Sequence, residues 1–243
     1  MIPKNHPRYK SLVTREHLAE NARSGIVSWE GLISHGRGEA FDYLIGEKTS
    51  ESARRAARTA AALLRTARHP VISVNGNTAV LAAQKIALLQ KVSGALVEVN
   101  LFHRTSERVQ QIETLLRNAG VDVFSGNAER LLPLSHDRAF CRREGMYAAD
   151  VVLVPLEDGD RCGVLVAMGK KVIAIDLNPL SRTAKTATLT IVDDVTRALP
   201  LIAEACASIT DEECRDLIAT LDNPAFLREA RDEMAARLCH ALD

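Results

Sequence analysis

The stretch A-D-V-V-L-V-P-L-E-D-G-D-R at residues 149–161 joins a continuous apolar run directly to a polar loop. Its run V-V-L-V-P (151–155) does not alternate between apolar and polar residues, which is typical of a strand buried on both faces of a parallel sheet. Similar short runs lie at 71–74, 95–99, 121–124, 172–175 and 187–192. The pattern therefore predicts about six strands of this kind.

Segments with helical periodicity separate these strands. The segment 50–67 places small apolar residues at helical spacing and stops before Pro70, which disfavours a continuing helix. Segments 78–93 and 105–119 have the same period. The alternation of helix and strand predicts an α/β fold with a doubly wound, mostly parallel, Rossmann-like sheet.

The two ends of the chain do not follow the repeat. Residues 1–49 form a helical, glycine-interrupted segment, residues 50–208 form the α/β core, and residues 209–243 form a C-terminal extension. Residues 211–243 hold nine acidic residues and four arginines, a net charge of −5, which leaves +5 for residues 1–210. Apolar residues at helical spacing in the extension predict two helices that dock on the core or on a second subunit.

Composition excludes several classes of protein. The 243 residues carry 31 Lys+Arg and 31 Asp+Glu, so the zero net charge argues against a generic nucleic-acid binder. Neither a signal-peptide core at residues 1–25 nor an apolar run of bilayer length is present, so we expect a cytoplasmic protein without membrane spans. The five cysteines lack C-x-x-C spacing and are predicted to be reduced thiols.

The loops after the predicted strands are rich in Asn, Asp and Arg. In a parallel sheet these loops emerge at one edge, where ligands bind. The polar sequences are N-G-N-T at 75–78, N-L-F-H-R-T at 100–105, E-D-G-D-R at 157–161, D-L-N-P-L-S-R-T at 176–183 and D-D at 193–194. Guanidinium groups pair with planar oxyanions, so the arginines at 37, 104, 161 and 182 favour a phosphate or carboxylate ligand.

The sequence V-N-G-N-T at 74–78 predicts a strand, a tight turn and a helix start. Such a start presents free N–H groups and is a plausible anion site. The glycines near residue 37 do not complete a dinucleotide-binding motif, and G-E-K-T at 46–49 lacks the adjacent Gly-Lys of a P-loop. Any use of ATP therefore occurs without a Walker motif.

Five blocks of sequence carry a resemblance to a known family. They are H-G-R-G-E-A-F-D-Y-L-I-G-E-K-T (35–49), I-S-V-N-G-N (72–77), N-L-F-H-R-T (100–105), A-D-V-V-L-V-P-L-E-D-G-D-R (149–161) and I-D-L-N-P-L-S-R-T-A (175–184). Together with I-P-K-N-H-P-R-Y (2–9), they resemble archaeal phosphopantothenate synthetase, also called 4-phosphopantoate–β-alanine ligase. The resemblance extends to about residue 205, and we expect the acidic tail to lie beyond the family core.

The resemblance implies a Rossmann-like homodimer that joins 4-phosphopantoate and β-alanine in coenzyme A biosynthesis. It implies ATP and Mg²⁺ as cosubstrate and cofactor, an acyl-adenylate, and release of AMP and pyrophosphate. The ATP contacts implied by the resemblance are Arg15, Arg37, Asp176, Leu177, Asn178, Arg182, Thr183, Asp194 and Val195. Two departures from the family pattern are Asn5, where serine is common, and the partly kept segment 135–140.

The remaining polar residues supply hypotheses about substrate and catalysis. We expect Asn75, Gly76 and Asn77 to hold 4-phosphopantoate, because the D-L-N and S-R-T loops already account for the nucleotide. Asp158 and Asp160 are candidates to hold Mg²⁺ or the ammonium of β-alanine, and Arg161 is a further substrate-binding candidate. The catalytic candidates are His103, Arg104 and His136, and either histidine could be the base that deprotonates the amine.

Two other functions stay open at this point. In an NAD(P)-dependent oxidoreductase, Glu98 would lie 22 positions after Gly76, near the spacing of an acid that binds a ribose hydroxyl, but two of the three expected glycines are missing. A noncatalytic nucleotide-binding protein would keep the ATP site and lose acyl chemistry, which only the departures near His136 would suggest.

Overall fold

The structure, a computed structural model, describes residues 2–240, so the ends of the terminal segments, residue 1 and residues 241–243, lie outside the described part. Its strands are, in chain order, β1 (Pro70–Val74), β2 (Leu96–Val99), β3 (Glu129–Arg130), β4 (Phe140–Cys141), β5 (Val151–Pro155), β6 (Lys171–Ile175) and β7 (Leu189–Ile191). Five of these form a parallel sheet in the order β2-β1-β5-β6-β7, while β3 and β4 pair as a small antiparallel ribbon.

Helices precede, connect and follow the strands. They are α1 (Tyr9–Arg23), α2 (Trp29–Ile45), α3 (Glu51–Thr66), α4 (Gly76–Ser93), α5 (Ser106–Asn118), α6 (Gly159–Ala167), α7 (Arg182–Thr186), α8 (Val195–Ser208), α9 (Asp211–Ala219) and α10 (Asn223–Cys239). None of the helices in residues 2–240 is long and apolar enough to cross a membrane.

The parallel sheet has five strands, and the prediction of a strand at 121–124 is wrong. Val123 makes one parallel bridge to Val97, but the ladder does not extend further. The side chain of Gln90 accepts from the N–H of Asp122 at 2.8 Å and donates to its carbonyl at 2.7 Å. Because the side chain satisfies both backbone groups, this segment lies against the edge of the sheet as a loop.

The sheet is buried on both faces, as the apolar runs predicted. Ile72 and Leu153 pack with α3, α4 and α8 on one face. The alternate residues Val71 and Val152 pack on the other face, with side chains of α6, β4 and the turn that contains Met146. Alternate residues of each strand thus pack into two different apolar layers, one on each face of the sheet, which is the arrangement of a doubly wound fold.

Helix α2 spans the edge of the sheet at the carboxyl ends of the strands. Ser28 caps its start by accepting from the N–H of Gly31, and Gly46 ends it with φ of 93°. The end of α2 packs on the C-terminal helix α10, where Ile45 contacts the cluster that contains Ala230 and Met234. The C-terminal helix therefore helps to fix the helix that crosses the ligand edge.

The C-terminal segment forms the two predicted helices, and both dock on their own chain. The side chain of Asn223, at the start of α10, accepts from the N–H of Thr190 at 2.7 Å and donates to the carbonyls of Ala184 and Ala187. Asn223 is buried, and its amide satisfies backbone groups of the edge strand β7 and of the segment before it. Helix α10 is thereby attached to the sheet itself.

Candidate active site

A cavity of about 760 Å³ opens at the carboxyl edge of the parallel sheet. Its walls are the loops after β1, β2, β5, β6 and β7, together with one face of α2. This is the position that the doubly wound topology dictates, because the helix N-termini and strand ends converge there. The predicted site residues that line it are Arg37, Asn75, Gly76, Asn77, His103, Asp158, Asp176, Leu177, Asn178, Thr183, Asp194 and Val195.

The loop after β6 is fixed by its own side chains. Asp176 accepts from the N–H of Asn178 at 2.9 Å and from the hydroxyl of Ser181 at 2.5 Å. Burial raises the pKa of Asp176, while these two hydrogen bonds favour its charged form. Ser181 also caps α7, so Leu177 and Asn178 are held at the cavity wall by a rigid turn.

The loop after β7 carries a second capped helix start. Asp194 accepts from the N–H of Thr196 at 2.8 Å and begins α8. Next to it, Arg197 pairs with Asp42 of α2 and with Asp193, which also accepts from Thr49 at 2.6 Å. This network ties α2 to the sheet edge, and the two carboxylates raise the pKa of Arg197 despite its burial.

The turn after β1 uses its side chains for structure. Asn75 caps α4 through the N–H of Thr78 and donates to the carbonyl of Leu156 at 2.9 Å. Asn77 donates to the carbonyl of Gly31 in α2 at 2.8 Å. A Cβ at Gly76 would collide with the carbonyl of Ile26, so the close approach at this glycine is to the chain itself. What α4 offers to a ligand is the N–H groups of its first turn.

A buried charge network lies under the cavity floor. Glu157 is bonded to Arg161 and lies 3.9 Å from Arg138. Burial alone would raise the pKa of Glu157, but the two guanidinium groups outweigh it and lower the pKa to about 2. Arg161 is fully buried and donates to Ser73 at 3.0 Å. The structure therefore places Arg161 beneath the cavity, where it holds Glu157, rather than in contact with a ligand.

Four other predicted residues lie away from the cavity wall in the single chain. Arg15 is half-exposed and pairs with Glu39 at 2.9 Å. Arg182 and Asp160 are both exposed and form an ion pair at 2.7 Å. Arg104 is half-buried, and its backbone N–H donates to Asp137 at 3.0 Å. The structure does not bring these side chains together with the residues that line the cavity.

Beside one corner of the cavity, aromatic and charged groups come together around the predicted catalytic residue His136, which does not line the cavity itself. His136 stacks on Phe102 with ring centroids 4.6 Å apart, and His103 meets the same ring edge-on at 5.1 Å. His136 Nε2 lies 4.0 Å from Asp158 Oδ1, and Arg138 Nε lies 3.2 Å from Asp158 Oδ2. The two histidines thus differ in setting: His136 is enclosed, whereas His103 is half-exposed and lies 3.8 Å from Glu30.

Sequence reasoning missed several residues of the site. Arg108 lines the cavity and donates to the carbonyls of Ile26 and His103. Arg138 lines it as well, although its segment was noted only for its departure from the family pattern. Glu157 adjoins the predicted Asp158, and its spacing of four from Arg161 was the one available signal of an ion pair.

The lining is not predominantly basic, although residues 1–210 carry a net charge of +5. Its carboxylates are Glu30, Glu157, Asp158, Asp176 and Asp194, and its guanidinium groups are Arg37, Arg108 and Arg138. The net charge of the lining therefore depends on which carboxylates are paired within the chain. Glu157 and Asp158 both face Arg138.

The group of His136, Asp158 and Asp160 offers three ligand atoms within 4.8 Å of one another. Mg²⁺ prefers oxygen ligands in octahedral geometry, and this set includes an imidazole. Asp158 already faces Arg138, and Asp160 already pairs with Arg182. The set does not fit Mg²⁺.

Glu98, the acid on which the oxidoreductase alternative depends, is fully buried away from the cavity. It accepts from the N–H groups of Arg142 and Met146 at 2.9 and 2.8 Å. Burial raises its pKa, while these bonds and Arg142 favour the charged form. Its two oxygens therefore hold the backbone at Arg142 and Met146, and it does not reach a ribose at the sheet edge.

A cavity at the carboxyl edge of a doubly wound sheet, with guanidinium groups and the starts of two capped helices on its walls, is an arrangement in which α/β proteins bind anionic, phosphorylated ligands. The comparison with known sequences narrows this class. Residues 52–237 match the family described as phosphopantothenate/pantothenate synthetase, and the chain belongs to that family.

Relatives align over nearly the whole chain. A 4-phosphopantoate–β-alanine ligase of Methanospirillum hungatei is 59% identical over 243 residues, which is 100% of both chains. Proteins of the same name from Methanosarcina mazei and Thermococcus kodakarensis are 54% and 47% identical, over 98% of this chain and 95% and 93% of theirs. The alignment includes the C-terminal helices, so the expectation that they lie beyond the family core is wrong.

Proposed function

We propose that this protein is an ATP-dependent 4-phosphopantoate–β-alanine ligase that forms 4′-phosphopantothenate, AMP and pyrophosphate. The observation that carries the proposal is one cavity of about 760 Å³ that is faced by both the D-L-N loop and the start of α4. Two phosphorylated reactants must meet in such a reaction, and a cavity of this volume suits them. Identity of 59% to a relative with that name supports the same activity.

We assign the nucleotide to the side of the cavity formed by the loops after β6 and β7. Asp176, Leu177 and Asn178 provide a rigid wall there, and Asp194 with Val195 provides the start of α8. Arg37 reaches the same space from α2. Arg182 is held by an exposed ion pair, which is worth little and is readily exchanged for a phosphate. Arg15 is half-exposed and pairs with the largely buried Glu39, so binding of a phosphate by Arg15 requires it to leave that pair.

We assign 4-phosphopantoate to the start of α4. The free N–H groups of Gly76 and Asn77 and the helix dipole favour its phosphate or carboxylate. The side chains of Asn75 and Asn77 are already bonded within the chain, so they hold this turn in place. Arg108, which lines the same side, supplies a guanidinium group nearby.

The reaction then follows from the chemistry of carboxylates. The carboxylate of 4-phosphopantoate attacks the α-phosphorus of ATP, forms an acyl-adenylate and releases pyrophosphate. The amine of β-alanine attacks the acyl carbon, and AMP leaves. The chain contributes mainly by positioning two anions beside each other and by stabilising charge with guanidinium and N–H groups.

We infer that Mg²⁺ accompanies the triphosphate. Carboxylates outnumber guanidinium groups on the lining, so a triphosphate needs a cation that the chain does not supply. Carboxylate oxygens are suitable ligands, and Asp176 and Asp194, on the loops after β6 and β7, would hold the metal together with the phosphates. The metal would neutralise phosphate charge there.

We also propose that the enzyme is a homodimer that forms through α2. Trp29, Ile33 and Tyr43 are 66%, 67% and 59% exposed, and their spacing places them on one side of the helix. Exposed apolar stripes of this kind mark contact surfaces. A second copy of the chain is the proposed partner, and α2 carries Arg37 to that boundary. Because the reaction uses ATP and phosphorylated intermediates, we place the enzyme in the cytoplasm.

Product analysis tests the proposed function. With 4-phosphopantoate, β-alanine and Mg-ATP, we expect AMP and pyrophosphate to accumulate in equal amounts with the amide. Omission of β-alanine should stop amide formation. A noncatalytic nucleotide-binding protein would bind ATP without consuming it, and this result would contradict the proposal.

A further inference from the structure

A buried imidazole without hydrogen-bond partners, that of His136, adjoins Phe102 and Asp158, two residues that line the cavity. Within residues 2–240, both ring nitrogens of His136 are buried and have no such partner. Nε of Arg138 and Oδ2 of Asp158 also lack a hydrogen bond of good geometry, but they face each other at 3.2 Å as an ion pair. Buried polar groups are normally bonded, because an unmet donor or acceptor costs about 1–3 kcal/mol. The two unmet nitrogens of His136, beside the carboxylate of Asp158, indicate a place where a small polar ligand completes the bonding.

The spacing of the acceptors suits an amine. His136 Nε2 and Asp158 Oδ1 are 4.0 Å apart. A nitrogen at an ordinary hydrogen-bond distance of about 2.9 Å from each atom fits between them. The stacked ring of Phe102 covers one face of the imidazole and lines the cavity, so the amine approaches from the side of Asp158.

We propose that this corner is the β-alanine subsite: Asp158 receives the ammonium group, and His136 accepts a proton from it before the amine attacks. The inference rests on the proposed function and adds to it the location of the second substrate and the identity of the base. It also separates the two histidines, since His103 is half-exposed and faces Glu30 rather than Asp158.

The proton balance of the reaction requires such a base. The ammonium nitrogen of β-alanine carries three protons, and the amide nitrogen of the product carries one. One proton passes to His136 and frees the lone pair, which forms the C–N bond to the acyl carbon. The C–O bond to AMP breaks with its electron pair on oxygen, and the second proton passes from the nitrogen to solvent water as the intermediate collapses. His136 returns its proton to solvent before the next turnover.

Charges of both signs surround the imidazole. From its own segment and from the loops after β2 and β5, the neighbouring titratable groups are His103, Arg104, Asp137, Arg138, Glu157, Asp158 and Asp160. Glu157 is neutralised by Arg161 and Arg138. Oδ2 of Asp158 pairs with Arg138, so Oδ1 is the oxygen that faces the imidazole, 4.0 Å from Nε2. Oδ1 also accepts from the N–H of Arg161 at 2.9 Å, and as a carboxylate oxygen it can accept from an ammonium group as well.

The test separates the two half-reactions of the enzyme. Exchange of labelled pyrophosphate into ATP, dependent on 4-phosphopantoate, reports adenylate formation, which needs no amine. Amide formation with β-alanine reports the full reaction. Hydroxylamine serves as a third probe, because its nitrogen is already unprotonated at neutral pH and attacks the adenylate without a base.

For His136→Gln, we expect amide formation with β-alanine to fall by at least about 100-fold, the usual contribution of a general base. Pyrophosphate exchange and hydroxamate formation should stay within about threefold of wild type. Asp158→Asn, which keeps a capping side chain for α6, should raise the KM for β-alanine and leave exchange intact. His17→Gln, on the exposed surface of α1, is the matched control.

Three outcomes would overturn the inference. One is an almost unchanged rate with β-alanine in the His136 variant. Another is an equal loss of exchange, hydroxamate and amide in that variant, which would indicate a structural role. The third is the expected pattern in His103→Gln instead. If the wild-type enzyme makes ADP, the proposed function itself fails, and this inference fails with it.

Discussion

The side-chain amide of Asn77 donates to the backbone carbonyl of Gly31 at 2.8 Å, so the first turn of α4 is joined directly to α2. Helix α2 carries Arg37 along the cavity, and α4 begins at the end of β1. This contact therefore fixes the two walls of the cavity relative to each other. A Cβ at Gly31 would collide with the Asn77 side chain, which shows how closely the helices approach.

The first prediction concerns the hydrogen bond between Asn77 and Gly31. Asn77→Ala removes the donor and leaves the carbonyl of Gly31 unpaired, which should lower the free energy of unfolding by about 1–3 kcal/mol. Because the walls separate, the KM values for ATP and 4-phosphopantoate should rise together. Denaturant titration and steady-state kinetics measure both effects. Asn127→Ala, an exposed asparagine, is the control, and equal effects in the two variants would contradict the assigned role.

The second prediction concerns Arg182. If it leaves its exposed pair with Asp160 to bind a phosphate of ATP, Arg182→Ala loses a charge-assisted bond of about 1.5–3 kcal/mol. ATP affinity should then fall by roughly one to two decades. Calorimetric titration with ATP measures it. Arg228→Ala removes an exposed pair with Asp222 on α10 and should have no effect. An unchanged ATP affinity in the Arg182 variant would contradict the prediction and would show that Arg182 does not bind the nucleotide.

The third prediction concerns the buried Glu157. Its pKa is lowered to about 2 from an ordinary value of 4.5, so its contribution to stability is fully present above about pH 4.5. That contribution is lost as the pH falls from 4.5 towards 2. Glu157→Gln leaves the buried Arg161 without its carboxylate and leaves Arg138 paired with Asp158 alone, which should cost about 3–5 kcal/mol at pH 7.

The difference in unfolding free energy between wild type and Glu157→Gln should therefore shrink as the pH falls below 4.5. Chemical denaturation at a series of pH values measures it. Glu129→Gln removes an exposed pair with Arg143 and serves as the control, with an expected effect below about 1 kcal/mol. A difference that does not vary with pH would contradict the ion-pair explanation.

The fourth prediction concerns assembly. Trp29→Glu and Ile33→Glu place charges on the exposed stripe of α2 and should convert a dimer into a monomer, because a buried unpaired charge is strongly unfavourable. Light scattering at micromolar concentration measures the mass. Leu88→Glu changes an apolar residue of α4 that is 50% exposed and should leave the dimer intact. A monomeric wild-type protein would contradict the proposed dimer.

Periodicity and loop chemistry were sufficient to predict the parallel strands, the layered fold and the wall formed by Asp176 to Asn178. They failed at 121–124, because no local pattern reveals that Gln90, some thirty positions earlier, satisfies the backbone of Asp122. The close packing around Gly76 could not be predicted from the sequence either, because the carbonyl of Ile26 that crowds it is distant in sequence.

The positions of the arginines in the sequence predicted only some of the side chains that line the cavity, because tertiary packing decides where each side chain points. Arg161 follows a strand and lies in an acidic loop, which suggested an exposed ligand contact, yet tertiary packing turns its side chain under the floor towards Ser73. Arg138, which lines the cavity, belongs to a segment without clear periodicity. Sequence patterns thus identified the loops at the ligand edge, and the side chains that face the ligand required the structure.

The most direct test of the central claim follows an oxygen atom. With 4-phosphopantoate labelled with ¹⁸O in its carboxylate, formation of an acyl-adenylate places one label in the phosphate of AMP. The reaction is run with β-alanine and Mg-ATP, and the nucleotide products are analysed by mass spectrometry. The account predicts AMP that carries a single ¹⁸O. ADP together with labelled inorganic phosphate would indicate an acyl-phosphate instead and would contradict it.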